Sequence, residues 1–317
     1  MHDTRDDREV TRAVCASLSR VEGSVMQELL KLRNELVAPG ARVRVKYAVL
    51  YTSGWLVLWV EGSEDAVRKA IARAAADPRN EHQKLLHFSR GPAGLADRVL
   101  VATTQTTLRP TQFARWVVHL IDEGAGMEPS EIWNRLGAPC LIDRSPQPQR
   151  PVQQYAFIAA DDHGPVDQLR RLGEHFKSPV VYQRFGVAQH RSPDMGMAYV
   201  DVWVRRGPAR IRLLSGAAMA RSAVRHSMPP LDAIILLLGG RPLAVVELVT
   251  NVAKALLPLE RPPKVWVAGA PGEPTSASLR LLEQLGVAAE EAPLPGTGRN
   301  DLVGLLAAAG LKPVANR

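Results

Sequence analysis

The sequence predicts an α/β protein of two domains, an α+β ferredoxin-like domain followed by a doubly wound α/β domain. Three observations predict it. A proline-rich polar stretch, Asp143-Arg-Ser-Pro-Gln-Pro-Gln-Arg-Pro151, divides the chain near its middle, and its prolines can continue neither a helix nor the interior of a sheet. Before it, strands at hairpin spacing are flanked by amphipathic helices. After it, short apolar strands alternate with helices, the pattern of a mostly parallel sheet covered on both faces. The domains are read as residues 1–142 and 152–317, with 143–151 as linker. At 317 residues, each half is long enough to bury a core of its own.

In the first half, residues 13–17 form a short strand. Residues 24–37 carry helical apolar spacing at Val25, Leu29, Leu32 and Leu36 and stop at Pro39-Gly40. Residues 43–50 and 55–60 are strands joined by the turn Thr52-Ser53-Gly54. Residues 64–76 are helical, with Val67, Ile71 and Ala74 inward, and Pro78 ends them. Strands at 84–88 and 98–104 come next, then helices at 111–123 and 130–136. Strands and helices in this order give an α+β sheet.

In the second half, a strand at 155–160 runs into the polar turn Asp161-Asp-His-Gly-Pro165. A helix spans 166–176. Strands at 198–205 and 210–214 form a hairpin turning at Arg206-Gly207-Pro208. Residues 217–227 are helical, 231–238 a continuous apolar strand, 243–257 a helix and 264–268 a strand. A helix at 276–284, a short strand at 287–290 and a closing helix at 301–309 complete it. No internal repeat relates the halves.

Apolar residues at 46% and charged residues at 23% fit a globular chain. The 40 Lys and Arg against 32 Asp and Glu give a net charge of +8, spread over both halves. The densest basic group is Arg205, Arg206, Arg210 and Arg212. Alternation along strands accounts for it as solvated faces, and nucleic acid is the less favoured partner. Cys15 and Cys140 are the two cysteines, so no disulfide framework is expected. The charged N-terminus lacks an apolar signal region, and no apolar run approaches the ~20 residues of a membrane span. A cytoplasmic location without a membrane partner is expected.

Several points of residues 13–104 resemble the BLUF family, the flavin-binding blue-light sensor domains. Val14-Cys15-Ala16-Ser17 stands where that family shows Tyr-x-Ser on its first strand. Leu29-Leu-Lys-Leu-Arg-Asn34 is similar to its first-helix pattern, and Leu56-Val-Leu-Trp-Val-Glu-Gly62 to its Phe-Leu-Gln-Val-Leu-Glu-Gly strand. Ala76-Asp-Pro-Arg-Asn80 resembles the Asp-Pro-Arg-His end of its second helix, and Arg98-Val-Leu100 fits a later Arg-x-Phe. The resemblance implies a BLUF-like fold. It also implies that blue-light chemistry is lost. Cys15 and Leu58 occupy the positions of the Tyr and Gln that exchange hydrogen bonds around the flavin, and Leu has no amide to switch. Asn34 keeps the family's residue type; read by itself it is a helix-surface Asn. Cys15 reads as a small buried hydrophobe. Trp55 and Trp59 read as core or interface aromatics. No flavin, and no other cofactor, is expected.

Residues 152–311 resemble, in element order, a small Ras-like GTPase domain with decayed motifs. A phosphate loop needs glycines for backbone approach, a Lys for charge and a hydroxyl for magnesium. In the equivalent stretch, Ala159 to Val166, only Gly164 remains. Pro165 replaces the Lys and Val166 the hydroxyl, while Asp161, Asp162 and His163 stand where phosphate would sit. The Asp-x-x-Gly motif becomes Leu213-Leu-Ser-Gly216. Gly269-Ala-Pro-Gly-Glu273 stands in place of the base-reading motif. Neither GTP hydrolysis nor nucleotide binding is expected.

No His pair has metal-binding spacing with acidic support, and no nucleophile elbow occurs. His163 with Asp161 and Asp162 is a polar cluster at a strand end, read as a loop. Gly239-Gly240-Arg241-Pro242 reads as the end of the buried strand. No catalytic residue and no metal site is expected. The expectation is a non-enzymatic regulatory or scaffolding protein acting by protein–protein interaction. The resemblances suggest a small GTPase or a motility or polarity component as partner, and self-association as a homodimer. Two alternatives stand beside it: a small-ligand or flavin-type sensor using a rebuilt pocket, and a nucleic-acid-associated regulator.

Overall fold

A computed structural model describes residues 9–37, 45–142, 151–160, 165–186, 196–205, 207–221, 224–225, 227–269, 275–292 and 302–308. The chain divides into two compact units. The first is Met1–Pro139 with Gln183–Met195; the second is Cys140–Tyr182 with Gly196–Arg317. This differs from a simple cut at 143–151. The division comes at Pro139 and Cys140, and the first unit takes a later segment as well. The linker residues 143–150 lie outside the described residues.

In the first unit the elements run β1 (Glu9–Ser19), α1 (Val25–Val37), β2 (Lys46–Thr52), β3 (Trp55–Gly62), α2 (Glu64–Ala76), β4 (Asn80–Pro92), β5 (Val99–Gln105), α3 (Pro110–Glu123) and α4 (Pro129–Gly137). The sheet order is β4-β1-β3-β2-β5. β3 lies antiparallel between β1 and β2, β4 is antiparallel to β1, and β5 is parallel to β2. This is the split β-α-β arrangement of the expected α+β sheet. The β2–β3 turn is closed by Ser53 and Gly54, both at positive φ (49° and 78°), the backbone a two-residue hairpin needs.

β1 and β4 are longer than their apolar runs suggested. β4 is an edge strand, and its polar ends, Asn80–Lys84 and Ser89–Gly91, carry no hydrophobic alternation. Its pairing with β1 shifts register twice, and His82 sits at φ 54°; such irregularities blunt an edge.

One face of this sheet carries two apolar clusters. Leu29 of α1 packs with Val49, Leu56 and Val101. Val67 and Ala70 of α2 pack with Ala13 and Val60. The other face receives Trp55, Trp59, Phe113, Ile132 and Trp133, all buried. Each such side chain contributes about 1.5–3 kcal/mol by leaving water. The Asp77-Pro-Arg79 turn ends α2. Asp77 Oδ1 accepts from the Arg79 backbone N–H (2.9 Å) and from its Nε (2.9 Å), and these bonds hold the carboxyl below its ordinary value. Arg79 Nη2 also donates to Glu35 of α1 (3.1 Å).

In the second unit the order is β6 (Gln153–Ala159), α5 (Pro165–His175), β7 (Val180–Gly186), β8 (Gly196–Val204), β9 (Gly207–Ser215), α6 (Gly216–Met219), β10 (Ala233–Leu237), α7 (Pro242–Leu256), β11 (Lys264–Ala268), α8 (Thr275–Gln284), β12 (Glu290–Glu291) and α9 (Leu302–Ala308). Strand β7 was not expected; its Gln183–Gly186 end counts with the first unit. The sheet of the second unit runs β12-β11-β10-β6-β9-β8. β8 is antiparallel to β9, and the other pairings are parallel. Phe157, Ile211, Leu213 and Ile235 form one buried face with Leu169 and Leu172 of α5 and Leu302 and Leu305 of α9. The alternate residues Ala156, Ile158, Ile234 and Leu236 are buried on the opposite face. Residues buried on both faces explain why β10 reads as an unbroken apolar run. Over the helix expected at 217–227, α6 ends at Met219 and Val224 and Arg225 are helical again.

Candidate functional site

The positions matched to the flavin-switching pair face each other. Cys15 of β1 stands opposite Leu58 of β3 in the antiparallel ladder. Leu58 lies between Leu56, which packs with α1, and Val60, which packs with α2. Leu58 is itself packed into the α1 cluster. Cys15 is 2% exposed, and burial pushes its thiol up to about 12. A thiol so placed is neutral, a weak hydrogen-bond donor and no nucleophile at ordinary pH. Asn34 does not join this pair. It is exposed on α1, and its Oδ1 accepts from Arg33 Nη2 (3.2 Å). The ladder thus brings together two of the three matched positions, and both are apolar in character.

The tryptophans of β3 serve the other face. Trp55 Nε1 donates to the Pro110 carbonyl (3.0 Å) and its ring lies 6.3 Å from Phe113. Trp59 Nε1 donates to Glu61 Oε1 (3.0 Å), with its ring 6.2 Å from Trp133. Glu61, 1% exposed, also accepts from the backbone N–H of Gly94 (3.0 Å) and of Leu95 (2.9 Å). A Cβ on Gly94 would come within 2.9 Å of Trp59, so glycine permits the approach. Sequence reasoning used Glu61 only as a motif letter. The signal present was Gly91-Pro92-Ala93-Gly94, the end of β4 and the start of a loop whose glycine admits a carboxylate to its backbone.

In the second unit, β6 leads to Ala160, and Asp161, Asp162, His163 and Gly164 lie outside the described residues. Pro165 opens α5, where a missing N–H costs nothing, and Val166 comes after it. Leu213 is 3% exposed and belongs to the apolar core with Phe157 and Leu169. It is a packing residue where a magnesium-side carboxylate would be needed. Gly216 begins α6, and a Cβ there would lie 3.0–3.3 Å from Leu248 of α7. Its role is close helix approach, and Ser215 Oγ caps the turn by accepting from the Ala218 N–H (3.2 Å). Among the described residues no group of three or more His, Cys, Asp or Glu could hold a metal ion. No helix among them is long and apolar enough to cross a membrane.

The arginine group differs from its solvated-face reading. Arg205 is exposed and Arg206 lies outside the described residues, but Arg210 and Arg212 are buried. Arg210 makes a two-toothed bond to Asp201 of β8, at 2.7 Å and 2.9 Å. Its guanidinium stacks over the Tyr199 ring at 4.0 Å. Asp201 Oδ2 also accepts the Leu141 N–H (2.9 Å). Burial opposes the Arg210 charge, yet Asp201 holds its pKa above the ordinary value. Arg212 makes no ion pair with a carboxylate among the described residues, although Asp201 attracts it from a distance. Burial and then Arg210 push its guanidinium down to about 9, and its Nη1 donates to Gln154 Oε1. Strand alternation read these arginines as solvated; for Arg210 and Arg212 the face is covered, which alternation alone does not record.

No protein-family model and no characterised protein sequence matches the chain. Solved structures that match are BLUF domains and proteins containing them. A BLUF protein in its dark state, BlrB, is 16% identical over 31% of this chain and 74% of its own, with a TM-score of 0.26. The BLUF domain of BlrP1 is 15% identical over 42% and 96%, at 0.29. Klebsiella pneumoniae BlrP1, with calcium and cyclic diGMP, is 12% identical over 91% and 76%, at 0.27.

Proposed function

We propose that this is a non-enzymatic regulatory or scaffolding protein that acts by binding other proteins. Its first unit is a BLUF-like domain without flavin photochemistry, and its second a pseudo-GTPase. The observation that carries the proposal is the register of Cys15 against Leu58. The two positions matched to a hydrogen-bond switch are adjacent, yet they hold a buried thiol and an aliphatic side chain. Support for the second half comes from strand order. From the second unit's first strand, β6, the sheet extends through β9 to antiparallel β8 on one side and through β10, β11 and β12 on the other. A strand order that reverses beside β6 puts a switch point at the carboxyl ends of β6 and β10, where such folds bind ligands. Leu213 and Gly216, near that edge, are committed to packing. A nucleic-acid role loses two of its four arginines to the core.

Two measurements on the purified full-length chain test the proposal. Its visible absorption spectrum, with and without added FMN, should show no bound flavin. Titration with a fluorescent GTP analogue and magnesium should show no saturable binding. A flavin that shifts its absorption on illumination would overturn the first half, and micromolar GTP binding the second.

A further inference from the structure

The first unit holds a polar cluster that its lost photochemistry does not use. Arg12 lies on β1, and His87 and Ser89 lie on β4. In the ladder Arg12 stands opposite Ser89, and Val14 opposite His87. His87 and Ser89, two apart, therefore share a face. The turn after α3 brings the Gly124 carbonyl to the same place, and Glu128 stands just before α4.

His87 is 4% exposed, and both its ring nitrogens are engaged. Nδ1 lies 2.9 Å from the Gly124 carbonyl oxygen, and Nε2 lies 2.6 Å from Ser89 Oγ. A carbonyl only accepts, so Nδ1 carries the proton of the neutral ring and Nε2 is left as acceptor. Arg12 only donates, and its Nη2 donates to Ser89 Oγ at 3.1 Å. The hydroxyl proton of Ser89 must then point at His87 Nε2. Each direction in the chain Arg12, Ser89, His87, Gly124 is fixed by its partners.

An activated nucleophile needs this arrangement: a hydroxyl bonded to a base, and the base oriented by a third group. Here a backbone carbonyl does the orienting. It holds the tautomer but brings no full negative charge to steady an imidazolium. Arg12 compensates from the other side. Its side chain is 7% exposed and is held by Glu128 Oε2 at 2.5 Å. Its positive charge thus stands beside the serine oxygen as that oxygen loses its proton. Ser89 itself is partly exposed.

We propose that Ser89 is a nucleophilic serine that takes an acyl group from an activated ester, with His87 as its base. Ser89 Oγ bonds to the carbonyl carbon of the ester while its proton passes to His87 Nε2. The ester C–O bond then breaks, and the alcohol leaves with that proton. The chain is left as a Ser89 acyl ester, and the step needs no oxidant or cofactor. The step is a single acylation of the chain with no turnover, so it stands beside the scaffolding proposal and fails separately from it.

The test uses the full chain and p-nitrophenyl acetate, with peptide mapping by mass spectrometry. The folded protein should release a burst of p-nitrophenolate and carry one acetyl group on Ser89. Ser89→Ala should lose both the burst and the adduct. The urea-unfolded chain should label Ser89 at least about 100-fold more slowly, since only folding brings the base to the hydroxyl. Folded His87→Gln should slow to a similar degree. Absence of a Ser89 adduct in the native protein, or equal labelling of the unfolded chain, overturns the proposal. So does folded His87→Gln reacting at the native rate. If His87→Gln does not fold, the native-against-unfolded comparison still decides.

Discussion

Arg212 carries a buried positive charge that donates to a neutral amide oxygen, while its neighbour Arg210 has the Asp201 carboxylate. The Arg212 Nε is buried without a partner among the described residues. A buried cation with no hydrogen-bonded counter-charge is worse than an apolar side chain of similar volume. Arg212→Met should therefore raise stability by about 1–4 kcal/mol, read as a higher urea midpoint; a lower midpoint would show that the guanidinium is better satisfied than its surroundings suggest. Cys15 gives a prediction in pH. The unfolded thiol ionises near its ordinary value of 9.0, whereas the native thiol waits until about 12. Between those values the native state holds a proton that the unfolded state has lost, so stability falls as pH rises. Cys15 contributes up to about 1.4 kcal/mol per pH unit to that fall. Urea titrations at several alkaline pH values should show a shallower decline for Cys15→Ala. Identical slopes would mean that the thiol ionises in the native state.

At the scale of elements, β3 organises the first unit because its two sets of side chains do different work. Leu56, Leu58 and Val60 meet α1 and α2, while Trp55 and Trp59 fill the other face. At its end, Glu61 gathers the Gly94 and Leu95 amides and the Trp59 indole. All three are donors, so an amide NH₂ in place of either carboxylate oxygen meets an N–H head-on. Glu61→Gln should cost about 1.5–3 kcal/mol, measured by equilibrium urea unfolding. An unchanged midpoint would mean that the loop simply turns away. The strand, its turn and its tight exit were legible from Tyr51 to Gly62, since apolar alternation and the Ser-Gly pair are local signals. The carboxylate's backbone partners were not, because Gly94 and Leu95 lie in a loop more than thirty residues later.

For the molecule as a whole, the informative departure is the segment that the first unit takes from beyond residue 182. Gln183 Nε2 donates to the Gly137 carbonyl (2.7 Å) and to Thr104 Oγ1 (3.3 Å). A Cβ on Gly186 would lie 2.4 Å from Val101, so that strand packs closely. A fragment cut at the proline-rich stretch, residues 1–142, lacks these groups and uncovers Val101 and Thr104. Its melting temperature should lie below that of the first unit's transition in the full chain, and it should bind the hydrophobic dye ANS. A fragment that melts with the full chain and binds no dye would show that the borrowed strand adds nothing.

The sequence by itself determined the strand and helix order apart from β7, the hairpin at Ser53-Gly54 and the absence of a working phosphate-loop pattern. Each of these is carried by neighbouring residues, through periodicity, turn chemistry or motif spacing. Only the tertiary structure decided that Cys15 meets Leu58, that Arg210 and Arg212 are buried, that His87 and Ser89 form a pair under Arg12, and that Gln183–Gly186, the end of a strand in the second half, counts with the first unit. These depend on which strand pairs with which and on what covers a face. That choice is made by contacts between residues far apart in the chain, which a local pattern does not record.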